Sequence, residues 1–350
     1  MFAYFCKRFL LMIPTLLGII TINFFIIQLA PGGPVEQMSA KIANSIHGES
    51  NVGSIHLGAY QGAKGLDSEL LEQLKKMYGF DKPIGERFFL MLKHYIQFDF
   101  GESFYRQERV IDIIQEKLSV SISLGIFSTL IIYFVSIPLG IIKACWNGEK
   151  FDSFTSLLIT FLYSIPSFLL AILLIILFTG GNFFDIFPLK GLVSDNFDSL
   201  TTFDRVKDYL WHLVLPITCI CAGGFASLTL LVKNSFLDEM GKSYVLLARS
   251  KGASNIRILY GHIFRNAMLL IVSLFPITFV GMFFGANLLI EIIFSLDGLG
   301  LLGYNSIITR DYPIVFGTLF IFTLIGLIAG IISDMLYMVI DPRINFDKAI

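Results

Sequence analysis

Charge is scarce in this sequence. Only 15% of its residues are Asp, Glu, Lys or Arg, and they nearly cancel to a net charge of −1. A soluble domain carries roughly 25%. The shortage excludes an ordinary water-solvated surface, and the near-zero balance gives no suggestion of nucleic acid as a partner. Signatures of catalysis are missing as well. No G-x-x-x-x-G-K-[ST] loop occurs, and no strand–helix–strand pattern would hold one, so the usual cradle for ATP is absent. No Ser-His-Asp or Cys-His arrangement and no H-E-x-x-H stands out, and His47, His56, His94, His212 and His262 are scattered. An enzyme is not expected. Cysteines are few: Cys6, Cys145, Cys219 and Cys221. Cys219 and Cys221 lie two apart in one apolar run, on different sides of a helix. None reads as a disulfide or metal site, and apolar filling is their expected role. No catalytic residue, metal ligand or cofactor-binding residue is assigned.

Apolar residues fill the space that charge leaves. Of 350 residues, 55% are hydrophobic, 35 are Phe, and the mean hydropathy is +0.74. A helix needs about 20 apolar residues to cross a bilayer core. Six runs qualify: Phe9–Ala30, Ile122–Ala144, Ser156–Phe178, Leu210–Val232, Met268–Phe294 and Ile314–Val339. The first follows Lys7 and Arg8. It is too long for a signal-peptide core and lacks a small-x-small cleavage site, so it reads as a retained helix. The expected fold is an all-α integral membrane protein with six transmembrane helices, surrounded by membrane lipid.

Basic residues in short loops set orientation. Twelve fall on the side of the N-terminus: Lys7, Arg8, Lys143, Lys150, Lys233, Lys242, Arg249, Lys251, Arg257, Arg265, Arg343 and Lys348. Four fall opposite: Lys190, Arg205, Lys207 and Arg310. The pattern predicts both termini inside. Residues 1–30 are then the N-terminus and first span, 31–118 an external segment, and 119–350 a five-helix core with a cytoplasmic loop at 233–267. The stretch Ser39–Lys64 is rich in Gly, Ser and Ala and lacks periodicity, as a mobile loop would. After it, Asp67 can cap a helix with Leu70, Leu71, Leu74 and Met77 on one face. Pro83 can open another, with Phe88, Leu92, Tyr95 and Ile96 as its stripe. Together they predict a small helical cap.

Pro138, Pro166, Pro216 and Pro276 fall inside apolar runs, where each removes a backbone donor and kinks the helix. Such kinks serve either packing or a bundle that changes shape. Ionisable groups within the runs are few, whereas ion-driven carriers place several at mid-membrane. Glu291 lies one helical turn after Asn287, on the same face. The pair is a candidate lining of a translocation path, or else an interfacial group. Asp334, near the end of the last run, reads as an interfacial group, hydrated or capped.

The loop after Lys233 is the most informative. Helix formers run from Tyr244 to Lys251, with basic residues in the last turn and Gly252 at the stop. Ser254 can cap a second helix carrying Ile256, Leu259, Ile263 and Phe264. The expectation is a projecting helical hairpin that exposes Tyr244, Val245, Leu246 and Leu247. These residues either dock in a partner groove or fold back on the bundle.

The sequence Tyr244-Val245-x-x-Ala248-Arg249-x-Lys251-Gly252-Ala253-Ser254, followed by His262-x-x-Arg265-Asn266-Ala267, resembles the EAA loop of the dipeptide/oligopeptide/nickel family of ABC importer permeases. Where the general motif opens Glu-Ala-Ala, this chain has Leu246, Leu247 and Ala248. Other segments are similar to the family in order and spacing: Ala30-Pro31-Gly32-Gly33-Pro34, Tyr78 to Pro83, Phe98-Asp99-Phe100-Gly101-Glu102-Ser103, Glu291-x-x-Phe294-Ser295-x-x-Gly298-Leu299-Gly300, Arg310-Asp311-Tyr312-Pro313 and Asp341-Pro342-Arg343. Within the family the likeness is to Yej-type permeases, linked with peptides and peptide antibiotics such as microcin C. The resemblance implies a type I importer permease of the bacterial inner membrane. It would pair with a second, homologous permease, with ATPase subunits that use ATP and Mg, and with an extracytoplasmic peptide-binding protein. Residues 244–252, His262, Arg265 and Asn266 would then couple to the ATPase. Nickel or another small solute is the alternative cargo. A secondary transporter and a membrane anchor or sensor without transport are the other readings.

Overall fold

The computed structural model describes residues 2–29, 82–106, 108–180, 183–284 and 288–340. The expected helix at Asp67, the Ser39–Lys64 loop, Asn287, and the Pro31–Pro34 and Asp341–Arg343 motifs lie outside these residues. The described residues are mostly helical, and an isolated bridge between Glu102 and Arg109 is the β pairing recorded among them. The helices are α1 (Phe2–Leu29), α2 (Ile84–Ile96), α3 (Val110–Cys145), α4 (Lys150–Ser164), α5 (Ser167–Phe178), α6 (Thr202–Met240), α7 (Ser243–Ser250), α8 (Asn255–Ile258), α9 (Phe264–Phe284), α10 (Leu288–Ile293), α11 (Leu299–Thr309) and α12 (Tyr312–Ile340).

Four helical stretches are long and apolar enough to cross a membrane: Val110–Cys145, Thr202–Met240, Asn255–Pro276 and Tyr312–Leu336. The bent pair α4–α5 makes a fifth if it counts as one span. At about 1.5 Å per residue, α3 and α6 run roughly 54 and 58 Å, well beyond a hydrocarbon core of about 30 Å. Their ends therefore project, and α6 continues past the end of its apolar run at Val232 to Met240. The expected loop from Lys233 thus begins only at Gly241.

The chain divides into two compact units. One comprises Met1–Met12, Glu116–Leu302 and Phe322–Ile350. Here α6 is the hub, packed by α4, α5 and α9, with Leu124, Val232, Phe236 and Ile271 fully or almost fully buried. At Gly140 of α3 an added Cβ would sit 2.6 Å from Val232 Cβ, so this glycine sets the approach of α3 to α6. Cys219 and Cys221 are both buried in this core, and the Cys221 thiol donates to Ser128 O at 3.7 Å.

Pro166 does more than kink a span. Ile165 is held extended at φ −87°, ψ 118° before the proline, as pre-proline sterics require. Helix α4 stops at Ser164, α5 starts at Ser167, and the two cross at 94°. Pro138, Pro216 and Pro276 stay inside continuous helices, as does Pro14. Lys143, counted above among loop cations, is instead fully buried. Arg8 Nε lies 2.6 Å from Asp334 Oδ2, which ties the start of α1 to the late turns of α12.

The other unit comprises Ile13–Gln115 and Gly303–Ile321. Helix α2 begins after Pro83 and buries Tyr95, whose ring meets Phe100 edge-on at 4.9 Å. Ile96, assigned to the same stripe, is 76% exposed because the chain turns away at Gln97. Two of the family-like segments meet here. Ser103 Oγ donates to Asp311 Oδ2 at 2.5 Å, and Phe104 N donates to Asp311 Oδ1 at 3.2 Å. Burial pushes the Asp311 carboxyl above its usual range despite those donors.

Candidate functional site

The hairpin after α6 is built from its ends. Helix α7 closes with paired backbone bonds: Gly252 N donates to Arg249 O at 3.0 Å, and Ala253 N donates to Ala248 O at 3.2 Å. This double closure needs a left-handed residue just past the helix, and Gly252 supplies it at φ +77°. Ser254 Oγ then accepts from Arg257 N at 3.4 Å and opens α8. That helix does not end as a separate arm. It passes through a π-helical segment, Leu259–Ile263, directly into α9. The second arm is therefore the leading end of a membrane-spanning helix.

A polar knot holds the elbow. Tyr244 Oη donates to Glu239 Oε2 at 2.6 Å, Lys242 Nζ donates to Glu239 Oε1 at 2.5 Å, and Asn266 Nδ2 donates to Tyr244 Oη at 3.3 Å. Burial, together with the hydrogen bond that the hydroxyl donates to Glu239, pushes the Tyr244 phenol above its ordinary pKa. One carboxylate thus joins the end of α6, the start of α7 and the start of α9. The sequence marks Glu239 only as one of two adjacent acids, with Lys242 and Tyr244 a turn further on; Asn266 is 27 residues away and reaches it only through the fold.

The knot corrects the expected exposure. Val245 is 1% exposed and packs into the core, and Tyr244 is half-buried. Leu246 and Leu247 remain in the open at 58% and 57%. Arg249, Lys251, His262, Arg265 and Asn266 are also exposed. Beside the tip lies a cleft of about 490 Å³, lined by Leu247, Ala248, Lys251, Gly252, Arg257 and His262 among others. Its lining mixes the apolar Leu247, Ala248 and Ala253 with the cations Lys251 and Arg257.

Glu291 is tied to the turn that follows it. It is fully buried, its Oε2 accepts from Leu301 N at 2.7 Å, and a Cβ on Gly298 would come within 2.6 Å of its Cδ. The family-like spacing Glu291–Gly298–Gly300 is thereby explained: the glycines let the chain wrap onto the carboxylate. A second cleft lies elsewhere. It holds about 510 Å³ between α3, α5, α6 and α9, and is lined by Tyr133, Ser167, Gly223, Gly224, Ser227 and Thr278 with aliphatic neighbours. Sequence reading missed it, because its lining comes from four separate helices. Among the described residues no group of three or more His, Cys, Asp or Glu could hold a metal ion.

Helices of this length and apolarity, one pair of them bent at a break, define a multi-pass membrane protein. The chain belongs to the family of binding-protein-dependent transport system inner membrane components, which matches residues 136–346. It is 55% identical, over 99% of both chains, to the inner membrane ABC transporter permease protein YejB of Escherichia coli O157:H7. It is 53% identical, again over 99% of both, to the peptidoglycan transport system permease protein YejB of Agrobacterium fabrum. Identity to the oligopeptide transport system permease protein AppB of Bacillus subtilis is 30%, over 99% of this chain and all of that one.

Proposed function

We propose that this chain is the permease subunit of an ABC importer for peptides. The cargo follows the relatives, whose names specify peptidoglycan and oligopeptide transport. A peptide antibiotic of the microcin C type is a narrower case of the same chemistry. Six spans with both termini on the cytoplasmic side complete the topology, α1 and the broken α4–α5 each counting as one. The Arg8–Asp334 ion pair supports it, because it brings the start of the first helix and the end of the last to one face. A homologous permease completes the path, ATPases bind below, and a peptide-binding protein delivers from outside.

The observation that carries the reading is the elbow. Leu246 and Leu247 are exposed on a helix whose base is locked by Glu239, Tyr244 and Asn266. A rigid lever with an apolar tip transmits the displacement of whatever grips it, whereas a floppy loop would absorb it. Conversion of Leu247 to Glu puts a charge into the grip. ATP-driven peptide uptake should fall at least tenfold while membrane insertion is unchanged. Uptake at the wild-type rate would remove the elbow from the mechanism.

A further inference from the structure

At the end of α3 two lysines converge on one carboxylate. Lys143, fully buried, places Nζ 3.0 Å from Asp152 Oδ1 and also donates to Asp152 O, Thr155 Oγ1 and Ser156 Oγ at 2.7–2.8 Å. Its ammonium is satisfied without any further partner. Lys233 of α6 donates to both Asp152 oxygens, at 2.9 and 2.8 Å. Gly148 N adds a bond to Oδ2 at 3.1 Å.

Neutrality needs only one of these cations. Lys143 sits in the last turn of α3 and Asp152 in the first turn of α4, so those two already suit both helix ends and close the α3–α4 corner. Lys233 brings a second, partly buried cation to a carboxylate that is already paired, so its desolvation is not needed to balance the site. What it links is specific. Lys233 lies on α6 less than two turns before Glu239, the centre of the elbow knot. Asp152 begins α4, and α4 ends at the break whose far side, Ser167, lines the 510 Å³ cleft.

We propose that the Lys233–Asp152 bridge is the tie through which movement of the elbow reaches the broken span. A pull on α6 draws the base of α4 with it, and the 94° break turns that shift into a change at Ser167. Lys233 is a positioning residue; it touches no cargo. The proposal rests on the permease reading above.

The charge count supplies a gentle test. Lys233→Met leaves Lys143 and Asp152 as a balanced pair, so the fold should survive, whereas Asp152→Asn would strand the fully buried Lys143 and the partly buried Lys233. The probe is Ser167→Cys in the assembled transporter, with the exposed Cys6 and Cys145 changed to Ser. Its reaction rate with a maleimide is measured in membrane vesicles with and without ATP plus vanadate, alongside ATP hydrolysis. With Lys233 present, nucleotide should change the Ser167→Cys rate several-fold. Lys233→Met should erase that change yet keep at least half of the hydrolysis, and Lys233→Arg should restore it. A nucleotide response that persists in Lys233→Met overturns the tie. So does no response with Lys233 in place, or failure of Lys233→Met to assemble. Uptake of radiolabelled tri-alanine by the unaltered transporter is scored separately. Loss of the peptide reading with an intact nucleotide response would leave the tie standing.

Discussion

Gly298→Ala puts a methyl group where the structure has none to spare. The new Cβ would lie 2.6 Å from Glu291 Cδ, far inside carbon–carbon contact at about 3.5–4.0 Å. Glu291 cannot retreat easily. It is fully buried, and leaving would break the bond that its Oε2 accepts from Leu301 N at 2.7 Å. Overpacking of this kind costs about 1–3 kcal/mol, and a lost hydrogen bond to a charged group about 1.5–3 kcal/mol. The chain takes the cheaper route, so a loss of about 2 kcal/mol is expected, roughly a 30-fold shift in the unfolding equilibrium. Thermal unfolding of the purified protein in detergent, followed by tryptophan fluorescence, should show a lowered midpoint. Glu291→Asp shortens the side chain and should relieve the clash, so the double variant should lose less than the sum of the singles. Gly303→Ala is the control, since nothing lies within 4 Å of its Cβ. A wild-type midpoint for Gly298→Ala, or strict additivity in the double variant, would refute the wrapped carboxylate.

Gly252 tests conformation without crowding, since its Cβ site is empty but its φ is +77°. Alanine there should cost about 1–2 kcal/mol, valine more and asparagine less, and peptide uptake should fall in that order; equal uptake by all three would contradict the left-handed closure. Removing the acceptor of the elbow knot by Glu239→Leu should lower uptake more than ATP hydrolysis, read in the same vesicles. Asp99 accepts from Gly101 N at 3.1 Å and pairs with His94 Nδ1 at 2.8 Å, which lowers its pKa, the backbone bond foremost. A depressed folded pKa gives stability that is present above the ordinary carboxylate range of about 4 and lost as pH falls through the folded value. The unfolding midpoints of wild type and Asp99→Asn should therefore converge as the medium is acidified below pH ~4, and a gap that widens would reverse the assignment.

Composition and apolar run length alone identify a helical membrane protein, because the bilayer demands about 20 apolar residues per helix wherever they fall in the fold. Helix caps are equally local, and the turn at Gly252 and the start at Ser254 follow from residues within a few positions. Tertiary structure alone decides which side chains face inward. Val245 is buried although its neighbours Leu246 and Leu247 are not, because Tyr244 is pinned to a carboxylate on another helix. Lys143 and Lys233 read as loop cations until Asp152, nine residues from one and 81 from the other, draws both inside. Glu291 reads from sequence as an interfacial or path-lining group, and only the fold shows Gly298 and Gly300 packed against its carboxylate. Charges in an apolar chain go where a partner offers more than water does, and partners brought together by helix packing leave no local mark in the sequence.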